Sequence, residues 1–334
     1  MKKKKILLNA LEKTSLLLAL FLISCGGSGG GGGSNKDNDA LLPVIGNIEV
    51  KSFSELTAKI SSSVIISGGS GIDDRGFILD GAKKPCPAPV NPAPGDFQMN
   101  FEDLAPNTSH KIKAYATNGT GTVYTKEISF TTLAIKARNG ATDVDGNKYD
   151  TVHIGKQTWM KQNLAVTHFR DNSLIPLVED DAAWMKLTVP GVCIYKNNVS
   201  YKAVYGCLYN FSAIADSRGI APIGWHIATP EDWAELYNYL GDWSISGGHI
   251  KEAGYSHWLD PNYTADNSSG FTALAAGYRS YFNGEFLGFY EVACWWTSKL
   301  YNNAKCYYNS PQIDCTNVLN QKNGLSARCV KDKK

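Results

Sequence analysis

Gly224-Trp225-His226-Ile227-Ala228-Thr229-Pro230-Glu231-Asp232-Trp233-Ala234-Glu235-Leu236-Tyr237-Asn238-Tyr239-Leu240-Gly241 reads as a short strand running straight into a capped helix. Thr229 is an N-cap whose hydroxyl can accept from a free N–H of the first turn. Pro230 sits at N1, where its missing N–H costs nothing. Glu231 and Asp232 place negative charge at the positive end of the helix dipole. Trp233, Leu236, Tyr237 and Leu240 form one apolar stripe. Gly241 supplies the left-handed stop. His226 reads as a packed, hydrogen-bonded residue rather than a catalyst.

Further pieces stand in order around this stretch: Asp145-Gly146-Asn147, Gln157-Thr158-Trp159-Met160 with Asn163-Leu164, and Tyr205-Gly206 with Leu208-Tyr209. After it come Gly270-Phe271-Thr272-Ala273-Leu274, Gly277-Tyr278-Arg279, Trp295-Trp296-Thr297-Ser298 and Gly324-Leu325-Ser326-Ala327-Arg328-Cys329-Val330. Together they resemble the Fibrobacter succinogenes major paralogous domain, over residues 137–333. The resemblance implies a C-type-lectin-like fold in a lipoprotein of an anaerobic bacterium. The family's biochemical role is unassigned, so it implies architecture and location rather than chemistry. Relatives often carry Cys-Pro before Gly-Trp-His; here Ala221-Pro222 stands instead.

Working towards the N-terminus, all eight Trp lie after residue 158, and composition changes at 134–140. Residues 43–133 hold seven short strand-like runs separated by turns such as Ser67-Gly68-Gly69, the pattern of a β-sandwich. The segment from Leu104 to Leu133 resembles a fibronectin type III repeat, with His110 where that family places its corner tyrosine. The expected fold is an all-β immunoglobulin/fibronectin III-like sandwich followed by an α+β C-type-lectin-like domain. Within the latter, Tyr205–Ala215 reads as a weak helix and the chain from Gly241 to Ser269 as loop. Two such modules are expected to unfold independently.

Residues 1–24 combine a lysine-rich start with a short apolar run, and Leu22-Ile23-Ser24-Cys25 fits a lipobox. Cys25 is the expected lipidation site, and residues 25–42 a flexible Gly/Ser-rich tether. Gly26 in place of Asp points to the outer membrane. The acidic residues Asp37 and Asp39 lie far from Cys25, so the cell surface is favoured over the periplasmic face without being fixed. The leader carries +4 of the formal +2, which leaves −2 for the rest, no footprint for nucleic acid.

Chemistry is scarce. The six histidines lack metal-ligand spacing, and no nucleophile elbow or phosphate loop occurs. Asp143-Val144-Asp145-Gly146-Asn147 reads as a hairpin turn, since Lys148 and Ile154 stand where a calcium loop needs Gly and Glu. No metal or cofactor is implied. Lectin calcium motifs are missing, so glycan would have to stack on aromatic faces. The candidates are Trp258, Tyr278, Trp295, Trp296, Tyr301 and Tyr307, with Tyr281 and Phe282 among the other aromatics of this half. Adjacent Trp295 and Trp296 face opposite ways on a strand, so one of them must meet a second layer, a loop or a ligand.

Six cysteines of an exported domain allow fifteen pairings. Local closure favours Cys193 with Cys207 and Cys306 with Cys315, leaving Cys294 with Cys329; Cys86 has no evident partner. The reading that results is a non-enzymatic surface lipoprotein, a binding module for glycan or protein on a spacer. Its alternatives are a structural or assembly lipoprotein without a small ligand, and an enzyme resembling the formylglycine-generating group.

Overall fold

The strand-to-helix stretch folds as it reads. β16 (Trp225–Ile227) runs into helix α4 (Pro230–Leu240), taking labels in chain order. The computed structural model describes residues 41–86, 93–135, 138, 140–241, 243–300, 304–308, 313–315 and 319–333. The export segment, Cys25, the tether up to residue 40 and Tyr301 lie outside the described residues. The rest is mostly β-sheet with few helices.

The first module comprises β1 (Val44–Ile45), β2 (Glu49–Phe53), β3 (Ala58–Ile66), β4 (Ile72–Leu79), β5 (Ala82–Pro85), β6 (Gly95–Phe101), β7 (Ser109–Asn118), β8 (Gly121–Tyr124) and β9 (Ile128–Thr131). β3 pairs with β1, β2 and β6, and β7 pairs with β4, β8 and β9; β5 extends the second sheet. Alternation decides which side chains enter the core. Ala58, Ile60, Ser62 and Val64 point inward from β3, and Ile112, Ala114 and Ala116 from β7. Phe77 fills the gap between the sheets, 5.2 Å from Phe97 and 5.9 Å from Phe101. His110 is buried, with Nδ1 2.7 Å from Asp80 Oδ2. Cys86 is buried and free.

The second module opens with β10 (Ala141–Thr142), β11 (Lys148–Tyr149), β12 (Thr151–Ile154), β13 (Gln157–Met160), α1 (Asp181–Lys186) and β14 (Val192–Cys193). Then come α2 (Val199–Tyr205), β15 (Leu208–Tyr209), α3 (Phe211–Ile214), β16, α4 and α5 (Trp243–Ile250). It closes with β17 (Ala276–Arg279), β18 (Phe286–Phe289), β19 (Val292–Trp296), β20 (Ala304–Tyr308), β21 (Ile313–Cys315) and β22 (Cys329–Lys331). One sheet runs β12-β13-β22-β16, so both ends of the module meet beside the Trp225 stretch. The other runs β18-β17-β19-β20-β21.

Two helix boundaries differ from the sequence reading. Tyr205–Ala215 is not one helix. Gly206 (φ 78°) stops α2, and Asn210 caps α3 after a two-residue strand. α5 occupies part of the expected loop; its Gly247, Gly248 and serines give it no propensity signal, and tertiary packing sustains it. Trp295 and Trp296 do face opposite ways, and both are fully buried. Each side of β19 has its own apolar layer, one with Trp159, Trp233 and Phe271, the other with Phe211 and Tyr209.

The expected staples are corrected. Cys294 bonds to Cys306, directly opposite across β19 and β20 at a Cα separation of 4.1 Å. That removes Cys306 from Cys315, whose side chain is outside the described residues, and Cys294 from Cys329. Cys193 and Cys207 are buried and free. Register explains it: Cys193 stands opposite Leu208 and shares its face, so the neighbouring Cys207 points into the other core. Cys329 is buried and free as well.

The two modules are joined more closely than expected. Leu56, on the turn between β2 and β3, is 1% exposed and belongs to the apolar cluster of the second module, with Tyr201, Val204 and Tyr205. Lys196 pairs with Glu102 at 2.8 Å, and Asn198 donates to Asp103 at 2.7 Å.

Candidate functional site

Of the aromatic residues singled out from the sequence, Tyr301 lies outside the described residues, and the described ones share no open face. Trp258, Trp295, Trp296 and Tyr307 are buried. Their indole N–H groups are spent inside: Trp258 donates to Ala273 O at 2.9 Å, Trp295 to Asn163 at 2.7 Å and Trp296 to Tyr209 O at 2.6 Å. Tyr278 is half-buried and packs on the core. The exposed pair is instead Tyr281 and Phe282, the latter 78% exposed, on the turn before β18 with ring centroids 6.4 Å apart. Sequence cannot separate these from the buried aromatics, because residue type alone does not show which rings meet a second apolar layer.

Residues that could hold chemistry are also committed to structure. His226 bonds Asp332 through Nδ1 at 2.8 Å and Asp232 through Nε2 at 2.9 Å. Asp232 completes a capping box with Thr229. Burial opposes its ionisation, but hydrogen bonds from His226 and Thr229 outweigh this and hold its pKa at about 2. The bond to Asp232, together with that to Asp332 and against the effect of burial, raises the pKa of His226. Asp143 accepts from Asn147 and from the Tyr149 hydroxyl, so its oxygens close their own turn. Among the described residues no cluster of three His, Cys, Asp or Glu could hold a metal ion.

One concave site lies at the seam between the modules, a cleft of about 440 Å³. Glu55, Leu133, Ala134 and Ile135 line it from the first module and its exit, together with Arg138. Asp150, Lys161, Gln162, Asn163, Val204, Glu252, His257, Thr272, Leu274 and Arg328 line it from the second. Apolar walls with convergent polar groups and shifted pKa values are the marks of a ligand site.

Arg328 forms part of the floor and is buried. It donates to Asn163 Oδ1 at 2.8 Å, to Met160 O at 3.0 Å and to Phe271 O at 3.1 Å. Its guanidinium lies over the Phe271 ring at 4.4 Å. Burial pulls its pKa down to about 9, so it remains charged at neutral pH. Gln162 binds the Asp150 N–H and carboxylate, which fixes one wall. No single motif marks this cleft, since its residues are scattered along the chain; Asn163, Thr272, Leu274 and Arg328 fall within the quoted family motifs.

The Fibrobacter succinogenes major domain matches residues 152–331, more than half of the chain. The chain belongs to this family. The family segment holds β16, α4, both aromatic layers and most of the cleft, whereas Glu55 and residues 133–138 lie before it. No curated protein matches the chain. Among solved structures, the sensor domain of the anti-sigma factor RsgI4 from Pseudobacteroides cellulosolvens is similar at 22% identity. That match covers 28% of this chain and 95% of the other, with a TM-score of 0.23. The central fibronectin-III array of RIM-binding protein is similar at 12% identity, covering 42% and 49%, with a TM-score of 0.21.

Proposed function

We propose that this member of the Fibrobacter succinogenes major domain family is a non-enzymatic binding protein, lipid-anchored through Cys25 and displayed on the outer membrane. In this reading the first module is a fibronectin III-like sandwich. The second takes a C-type-lectin-like fold, supported by the sheet that joins its two ends. The ligand is a glycan or a surface protein segment, held in the seam cleft. The observation that carries the reading is the cleft itself, concave, built by both modules and lined by donors and acceptors of both signs. The lining offers hydrogen bonds to a polar ligand and no arranged nucleophile and base.

A glycan and peptide array probed with the chain from Ala40 onward tests it. Lys161→Ala is expected to weaken any captured ligand about tenfold or more. Binding is expected to survive a chelator. Loss of binding in Phe282→Ala with Lys161→Ala unaffected would move the site to the exposed Tyr281–Phe282 pair. Incorporation of a fatty-acid analogue, abolished by Cys25→Ala, checks the anchor.

A further inference from the structure

His257 is buried, and both of its ring nitrogens face carboxylates. Nδ1 lies 2.8 Å from each carboxylate oxygen of Glu252, in its own module. Nε2 lies 3.0 Å from Oε2 of Glu55, on the turn between β2 and β3 of the first module. A neutral imidazole has one N–H and can donate to only one of these partners. The imidazolium alone satisfies both, so the charge on the ring and the bond between the modules are one variable.

Other groups facing the ring do not replace this link. The Tyr205 ring stands edge-on to the imidazole, with ring centroids 5.5 Å apart. Arg138 acts on Glu55 from the connecting segment. Asp150, Lys161 and Arg328 line the same cleft. The pairs Lys196–Glu102 and Asn198–Asp103 also cross the seam, but they lie at the surface and are worth little.

We propose that His257 is a proton-operated latch on the seam: when charged it clamps Glu55 against Glu252 and fixes one wall of the cleft, and when neutral it lets Glu55 go. The idea is independent of what the cleft binds. Burial opposes the charged ring, but the hydrogen bonds and charges of Glu252 and Glu55 outweigh it and raise its pKa to about 9. A raised histidine stabilises fully below its ordinary 6.5 and ceases to do so as pH climbs through about 9. Burial likewise opposes Glu55, and its bond to His257 prevails and lowers its pKa, so the latch also fails as pH falls below the ordinary carboxylate range. This link is therefore made across the neutral and mildly acidic range and is lost on the alkaline side.

The test is a ring-labelled histidine NMR titration of the chain from Ala40 onward, run beside thermal midpoints over pH 5–10, in wild type and Glu55→Gln. In wild type one histidine should titrate near 9, and the thermal midpoint should fall through the same range. In Glu55→Gln that histidine should titrate about one pH unit lower or more, and the alkaline fall should move with it. If Glu55→Gln does not fold, Glu55→Asp is measured in its place, with a smaller downward shift expected. A wild type in which every histidine titrates near 6.5 would overturn the latch. So would identical titrations in wild type and variant, or a thermal midpoint indifferent to the titration.

Discussion

At the scale of single residues, register decides more than proximity in sequence. Cys193 on β14 and Cys207 just before β15 are close in sequence, yet they serve opposite faces because Cys193 stands opposite Leu208. A sequence shows the spacing and hides this parity. Cys294 and Cys306 lie directly across from each other, which only the pairing of β19 with β20 reveals. Non-reducing peptide mapping should return Cys294–Cys306. Burial raises the thiol pKa values of Cys193, Cys207 and Cys329, Cys193 and Cys207 each to about 12. In folded protein these three should therefore resist alkylation and react after denaturation. Rapid modification without denaturant would contradict their burial.

At the scale of elements, the helix Pro230–Leu240 was legible from its cap, stripe and stop, and α5 was not. The difference is physical. α4 carries its signals locally in Thr229, Pro230 and the Trp233–Leu236 stripe, whereas α5 has glycines and is held by its neighbours. What the sequence did not show is that Asp232 serves both the cap and His226. Thr229→Ala should cost about 1 kcal/mol of stability in chemical denaturation. Asp232, with its pKa lowered to about 2, stabilises the fold above its ordinary 3.8 and loses that contribution as pH falls towards 2. Asp232→Asn should therefore flatten the acid side of the stability profile. An acid limb as steep as wild type would mean that other carboxylates dominate it.

At the scale of the molecule, contacts cross the composition break at residues 134–140. Leu56 enters the second module's core, and Glu55 beside it meets His257. Neither residue carries a signal in its own run, because an apolar–acidic turn looks like any surface loop until its partner is known. The cleft was illegible for the same reason: it is built by contacts between distant segments, not by a motif. Leu56→Ala should cost about 2–5 kcal/mol and weaken the seam, as read from urea unfolding.

Calorimetry of the chain from Ala40 onward at pH 6 tests whether the two modules that line the cleft fold as one unit. A single transition is expected, with calorimetric and van't Hoff enthalpies that agree. Two separated transitions, each unmoved by Leu56→Ala, would contradict it.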